Sequence, residues 1–297
     1  MKILIIGYMH PKLDKRVFRT VRTLSKSNEI IYQYWTDKEE KKYQDGNITY
    51  MPIKYTKETN KDSPFEKLIN RRAFDKIICD LIENEDYDIL YMHHFLASRP
   101  LNPFKIAKKR NKKIVYDIHE YHPENFLAEL PAIIGDLKTA VIWRLFKKQL
   151  NLSNLAIFVS DETRDDIINK TKISKEKTFI MPNYASFSIK PDIQKKRKEI
   201  VLVGKTTRKI EDEKKLLNIL IKKGFSFKVI GMDSKEFDDI PHTATSFLPY
   251  NEMMEELSKA SFSLISYNTV KKKLQKRYIC TSIQILRFYS CRNASYY

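Results

Sequence analysis

Lys2-Ile3-Leu4-Ile5-Ile6-Gly7-Tyr8-Met9-His10-Pro11, followed closely by Asp14-Lys15-Arg16-Val17, is the stretch whose reading decides the fold. Residues 2–6 form an apolar run too short for a secretory signal. His10, Lys12, Asp14 and Lys15 follow without a small-residue cleavage site. The run therefore reads as a first buried strand. Beyond it, residues 15–25 carry Val17, Val21 and Leu24 at helical spacing. A strand that gives way to an amphipathic helix across a glycine-bearing turn is the opening unit of an α/β fold.

The same alternation continues outward. Residues 30–34, 48–53, 89–92, 113–116, 155–159 and 178–181 read as short strands, and 65–83, 103–110 and 162–170 as helices. Ser160 stands where it can cap the last of these helices. Such alternation implies a parallel sheet with right-handed crossovers, which binds ligands beyond the carboxyl ends of its strands. Attention falls on residues 7–14, 93–99, 117–124 and Ser160. Residues 186–198 are polar and basic and read as a linker. A second series then restarts: a strand at 199–203, a helix at 211–223 stopped by Gly224, strands at 227–230 and 245–248, a helix at 253–260 and a strand at 262–266. The expected division is 1–185 for a first Rossmann-like domain, 186–198 for the linker, 199–268 for a partial second domain and 269–297 for an aberrant basic tail.

Composition sets outer bounds. A chain of 297 residues with 42% hydrophobic residues can bury two modest cores. No run approaches the roughly 20 apolar residues that span a bilayer. Cys79, Cys280 and Cys291 make neither a metal-ligand spacing nor a disulfide framework, so a cytoplasmic protein is expected. The net charge of +18 admits nucleic acid, an anionic membrane or phosphate-bearing substrates as partners. Its lysines are mostly scattered, as on a solvated surface, and no nucleic-acid-binding module is present, so no nucleic acid partner is expected. Residues 137–151 set Arg144, Lys147 and Lys148 beside Val141, Ile142, Leu145 and Phe146. That segment reads either as a peripheral contact with an anionic inner membrane face or as a helix with its apolar side in the core.

Two turns are dense in chemistry. The first lacks the G-x-G-x-x-G fingerprint, which disfavours a nicotinamide enzyme. Asp14 there reads as a helix cap, and Arg16 either as an anion or sugar contact or as a surface arginine. The second, Tyr116-Asp117-Ile118-His119-Glu120-Tyr121-His122-Pro123-Glu124, follows a strand end. His119 and His122 are three apart, not the four that a zinc-binding helix face needs, so no metal is expected. Mixed donors and acceptors of this kind suit sugar hydroxyls, or else cap a loop.

Taken in order, Asp14-x-Arg16-Val17, Tyr116-Asp117-x-His119-Glu120, Ser160-Asp161-Glu162-Thr163 and Phe179-Ile180-Met181-Pro182-Asn183-Tyr184 resemble the retaining glycosyltransferases of GT-B fold, family-4-like. Gly204-Lys205-x-x-Arg208 and Leu248-Pro249-Tyr250-Asn251-Glu252 extend the likeness, which covers about residues 1–268. The resemblance implies two Rossmann-like domains facing across a cleft, with the second incomplete. It implies transfer of a hexose from a nucleotide-sugar to a cell-surface polysaccharide or lipid-linked acceptor, with the nucleotide-sugar as co-substrate and no cofactor. His119 is then the catalytic-site residue beside the donor sugar. Asp14, Arg16, His93, Asp117 and Glu120 shape the acceptor side. Gly204, Lys205 and Arg208 hold the donor diphosphate, where positive charge does the work of a metal ion.

The resemblance also calls for a glycine-rich stretch with a ribose-binding carboxylate soon after Tyr267. Residues 276–297 contain neither glycine nor acid, and seven of the chain's positive charges fall within 271–297. Codons can be chosen for 276–297 that, with one base removed from the opening adenine run, read KDIYAPRSKFYDFIAAGTPVI, which restores that motif. A frameshift or truncation is thus expected, with impaired transfer, or a non-catalytic sugar-nucleotide-binding remnant, as the consequence. Residues 270–297 are expected to fray.

Overall fold

The computed structural model describes residues 1–55, 63–93, 98–119, 132–183, 189–190, 192–204, 211–231, 237–246, 248–265 and 294–296. They fall into two compact units, Met1–Met181 and Pro182–Tyr297.

In the first unit, β1 (Lys2–Pro11), β2 (Glu29–Thr36), β4 (Ile48–Lys54), β5 (Ile89–His93), β6 (Lys113–Ile118), β7 (Leu155–Phe158) and β8 (Thr178–Ile180) are parallel. The short β3 (Tyr43–Asp45) pairs antiparallel with β4, and the spatial order is β3-β4-β2-β1-β5-β6-β7-β8. Leu4, Ile5 and Ile6 of the central β1 are wholly buried, each adding about 1.5–3 kcal/mol of transfer free energy. From β1 the chain first winds towards β2 and β4, then crosses back to β5. The crevice between the ends of β1 and β5 is therefore the topological switch point, where such sheets bind ligands.

The crossovers carry α1 (Lys15–Leu24), α2 (Pro64–Asn84), α3 (Asn102–Lys109), α4 (Ala132–Leu152) and α5 (Asp161–Thr171). Their starts are chemically fixed. Asp14 caps α1 by accepting from the N–H groups of Arg16 and Val17. Ser63 and Glu66 form a reciprocal capping box on α2, with Pro64 at its first turn. Ser160 caps α5 through the Thr163 N–H, as its place in the sequence suggested.

β1 runs farther than the apolar run implies and shifts register against β2 beyond Ile6. Gly7 is why. A Cβ there would lie 2.8 Å from the Gln33 carbonyl oxygen. Tyr8 then takes a positive φ of 52°, held by the Gln33 side chain, which accepts from its N–H and donates to its carbonyl.

The second unit repeats the plan. β9 (Arg197–Val203), β10 (Ser226–Ile230), β11 (Thr243–Thr245) and β12 (Ala260–Leu264) are parallel with β13 (Ala294–Tyr296), in the order β11-β10-β9-β12-β13. Alongside run α6 (Glu211–Lys222) and α7 (Tyr250–Lys259). Two apolar clusters form, one with Met254 and Leu257, the other with Leu217 and Phe227. Gly224 stops the α6 segment at φ 84°. β9 begins at Arg197, inside the stretch read as linker.

β13 is a correction. Part of the tail expected to fray lies parallel to β12, because an edge strand offers unpaired N–H and C=O groups that a short Ala-Ser-Tyr segment can meet.

Gly7→Ala must push the Gln33 backbone aside. The expected loss is about 1–3 kcal/mol in urea unfolding at unchanged m-value, and an unshifted midpoint would contradict the close approach.

Candidate functional site

The switch point gathers side chains from four elements. Asp117, the fifth residue of β6, is wholly buried, and its charge is met by Arg16 from the first turn of α1. Arg16 Nη2 donates to Asp117 Oδ1 at 2.7 Å, and Nε reaches both carboxylate oxygens at 3.1 Å. Nη1 donates to the Met181 carbonyl just past β8, at 3.0 Å. The Tyr91 hydroxyl donates to Asp117 Oδ2 at 3.2 Å. One ion pair thus ties α1, β5, β6 and the end of β8 together.

His93 closes β5 beside this pair, with Nδ1 3.4 Å from Asp117 Oδ2. Burial holds its pKa down to about 4, against the pull of Asp117, so the imidazole is neutral at physiological pH. Neither ring nitrogen makes a hydrogen bond among the described residues. A buried neutral imidazole in that state suits a hydroxyl or an ordered water.

His119 follows β6, with its ring centroid 6.0 Å from that of His93 and 5.0 Å from that of His10. His10, from the end of β1, has Nδ1 3.3 Å from Asp14 Oδ2. Burial pushes the Asp14 carboxyl up. The His10 hydrogen bond and the α1 N–H groups outweigh it, and the net shift is downward. Three imidazoles thus line up across the ends of β1, β6 and β5.

Of the residues singled out in the sequence, Asp14, Arg16, His93, Asp117 and His119 come together here. Arg16 is 6% exposed and braces Asp117, which rules out the surface-arginine reading. Glu120 lies outside the described residues. Gly204 belongs to the second unit, directly beyond β9, where its N–H donates to the Ile230 carbonyl. Lys205 and Arg208 lie outside the described residues.

Sequence reasoning missed Tyr91 and Asp75, and it gave Tyr8 and His10, inside the 7–14 turn, no role of their own. His10 stands four residues before the Asp14 cap, and Tyr91 shares a strand face with His93, so both carried a signal. Tyr8 donates to Asp75 of α2 at 2.7 Å, and Asp75 accepts from the N–H and hydroxyl of Ser98. That pairing spans 67 residues and has no local signature.

His93, Asp117 and His119 offer ligand atoms within 4.8 Å of one another. Both oxygens of Asp117 are nevertheless engaged by the guanidinium, and a dication there would face the buried charge of Arg16.

Comparison with known proteins follows this geometry. Residues 39–185 match the profile of Glycosyltransferase Family 4. No curated protein sequence matches the chain. Among solved structures, the chain is similar to sucrose-phosphate synthase from Thermosynechococcus elongatus, with TM-score 0.65 and 10% identity over 99% of this chain and 80% of that one. It is similar to the lipopolysaccharide outer core galactosyltransferase WaaB in its apo form, with TM-score 0.55 and 14% identity over 99% and 80%. Anabaena Alr3699/HepE in complex with UDP gives TM-score 0.59 and 12% identity over the same shares.

Two outcomes test the site. Arg16→Met strands a buried carboxylate and is expected to cost about 3–5 kcal/mol. The double variant Arg16→Met/Asp117→Leu should recover much of that loss in a denaturation cycle, and additive losses would contradict the pairing. His93 has a folded pKa below its unfolded value of about 6.5, so the unfolded chain binds more protons between the two. Stability should fall as pH drops from about 6.5 towards 4, and His93→Leu should flatten that slope in urea titrations.

Proposed function

We propose that this chain, whose residues 39–185 match Glycosyltransferase Family 4, is a glycosyltransferase of the GT-B fold that moves a hexose from a nucleotide-sugar to a polysaccharide or lipid-linked acceptor. The observation that carries the reading is the row of imidazoles braced by Arg16–Asp117 at the switch point of the first unit. On this reading Asp14, His93 and Glu120 shape the acceptor side, and His119 hydrogen-bonds the donor sugar. Gly204, directly beyond β9, holds the donor diphosphate together with Lys205 and Arg208 on this reading.

In the proposed step, the bond between the anomeric carbon and the diphosphate oxygen breaks, and an acceptor hydroxyl bonds to that carbon on the same face. The hydroxyl proton passes to the departing diphosphate oxygen. Lys205 and Arg208 neutralise the charge developing there, which removes the need for a metal ion. The occupation of Asp117 by Arg16 supports this metal-independent course. The reaction belongs on this reading to the cytoplasmic side, with the acceptor presented at the inner membrane face. Among the described residues, no helix is long and apolar enough to cross a membrane.

The content of residues 276–297 favours one qualification. Without glycine or acid there, the ribose carboxylate expected of the family is missing, and the chain as written binds donor weakly and turns over poorly. Calorimetry with UDP-sugars, alongside turnover by this chain and by the alternative-frame chain, tests the whole reading. Turnover is expected in the restored chain, reduced roughly hundredfold or more by His119→Ala or Lys205→Ala. Donor binding without turnover in both chains would favour a sugar-nucleotide-binding remnant. Robust turnover by the 297-residue chain would overturn the impairment, and no UDP-sugar binding in either chain would sink the transferase reading.

A further inference from the structure

Two of the three imidazoles in the row have a carboxylate set behind Nδ1. Asp14 Oδ2 stands 3.3 Å from His10 Nδ1, and Asp117 Oδ2 stands 3.4 Å from His93 Nδ1. A carboxylate in that place orients the ring, keeps the proton on Nδ1 and leaves Nε2 with its lone pair. Histidines that ligate metal ions are held in this way.

The spacing of the rings fits the same chemistry. At a Zn–N distance of about 2.0–2.1 Å, imidazoles sharing a tetrahedral zinc ion stand with ring centroids roughly 5 Å apart. His10 and His119 already stand at 5.0 Å. His119 and His93 stand at 6.0 Å, and a side-chain movement of about 1 Å brings them to the same separation. No acid is needed among the ligands. Asp117 stays with Arg16, as a pair whose charges cancel, and faces a cation through the His93 ring. Asp14 is met by His10 and by backbone N–H groups, so its negative charge remains to favour a cation. His93 is wholly buried, while His10 and His119 are half-buried and leave the row open to solvent on their side.

Imidazole nitrogens select zinc and its borderline neighbours over magnesium and calcium, which take oxygen ligands. We propose that His10, His93 and His119 bind one zinc ion, with Asp14 and Asp117 as positioning residues behind two of the rings. The ion takes no part in the transfer. It occupies the imidazoles that acceptor hydroxyls use and so blocks the acceptor. The blocking rests on the transferase reading; the binding does not.

The test is zinc titration of the full 297-residue chain, freed of metal by a chelator, with cobalt(II) absorption as a second readout. One zinc per chain is expected, displaced by neither magnesium nor calcium in excess. Cobalt should show the visible absorption of a tetrahedral ion, not an octahedral one. His10→Gln and His119→Gln should each weaken zinc binding about a hundredfold or more. Asp14→Asn keeps the α1 cap, since asparagine caps as well as aspartate, and removes only the carboxylate behind His10. Its expected loss is about tenfold to a hundredfold, and unchanged affinity would overturn the positioning role. His242→Gln in the second unit and Cys79→Ser/Cys280→Ser/Cys291→Ser should bind as the parent does. Loss of binding in either control, undiminished binding in the two histidine variants of the row, or no binding by the parent overturns the proposal. UDP calorimetry on zinc-free samples keeps the two readings apart. UDP binding without zinc binding leaves the transferase standing, and zinc binding without UDP binding leaves the metal site standing. In the alternative-frame chain, zinc should inhibit in competition with the acceptor, and a chelator should reverse it.

Discussion

Removing a carboxylate from water costs several kcal/mol, and Asp117 is wholly removed. That cost is offset mainly by Arg16, from a helix 101 residues earlier in the chain, with the Tyr91 hydroxyl adding a further hydrogen bond. The guanidinium can reach only if α1 begins where it does. Asp14 sets that start as the N-cap, and the Gly7–Tyr8 turn lets β1 run on to Pro11 before the helix opens. The same guanidinium takes the Met181 carbonyl beyond β8. The register of the sheet, the first crossover and the exit from the first unit are therefore coupled through one planar cation. A lysine could not make the same set of bonds, because its point charge lacks the fork that spans two oxygens and a third acceptor.

This explains which parts of the site were legible in the sequence. Strand ends and helix caps are local, and they announced Asp14, His93, Asp117, His119 and Ser160 by position alone. The partner of a buried charge is not local. Arg16 was visible as a residue of interest, yet its role depended on where Asp117 came to rest, which periodicity does not specify. Tyr8–Asp75 and Tyr8–Gln33 are of the same kind: single polar contacts between elements whose own patterns are complete without them. β3 was missed because three exposed residues carry no periodicity, and β13 because an edge strand recruits its neighbour through backbone groups.

The second unit uses the same winding with fewer constraints. β9 is central, β10 and β11 extend one side, and β12 returns on the other, so Gly204 stands at a second switch point. Its charged contacts are of a different character. Glu256 accepts from Lys228 and Arg197, and despite burial those bonds hold its carboxyl down to about 2. The partners come from the starts and middles of strands, not from their carboxyl ends. That network secures the sheet without entering the edge where a ligand binds, and it leaves Lys205 and Arg208 as sequence-level assignments.

A division of chemical labour follows from where the charges are spent. In the first unit the arginine nearest the switch point is consumed internally, and the groups left for a ligand are imidazoles, His93 among them held neutral by burial. Neutral imidazoles pair with hydroxyls, both giving and taking a hydrogen bond, and have little to offer a diphosphate. On the proposed reading the first unit sorts hydroxyls, and Lys205 and Arg208, the residues assigned to the leaving-group charge, belong to the second unit.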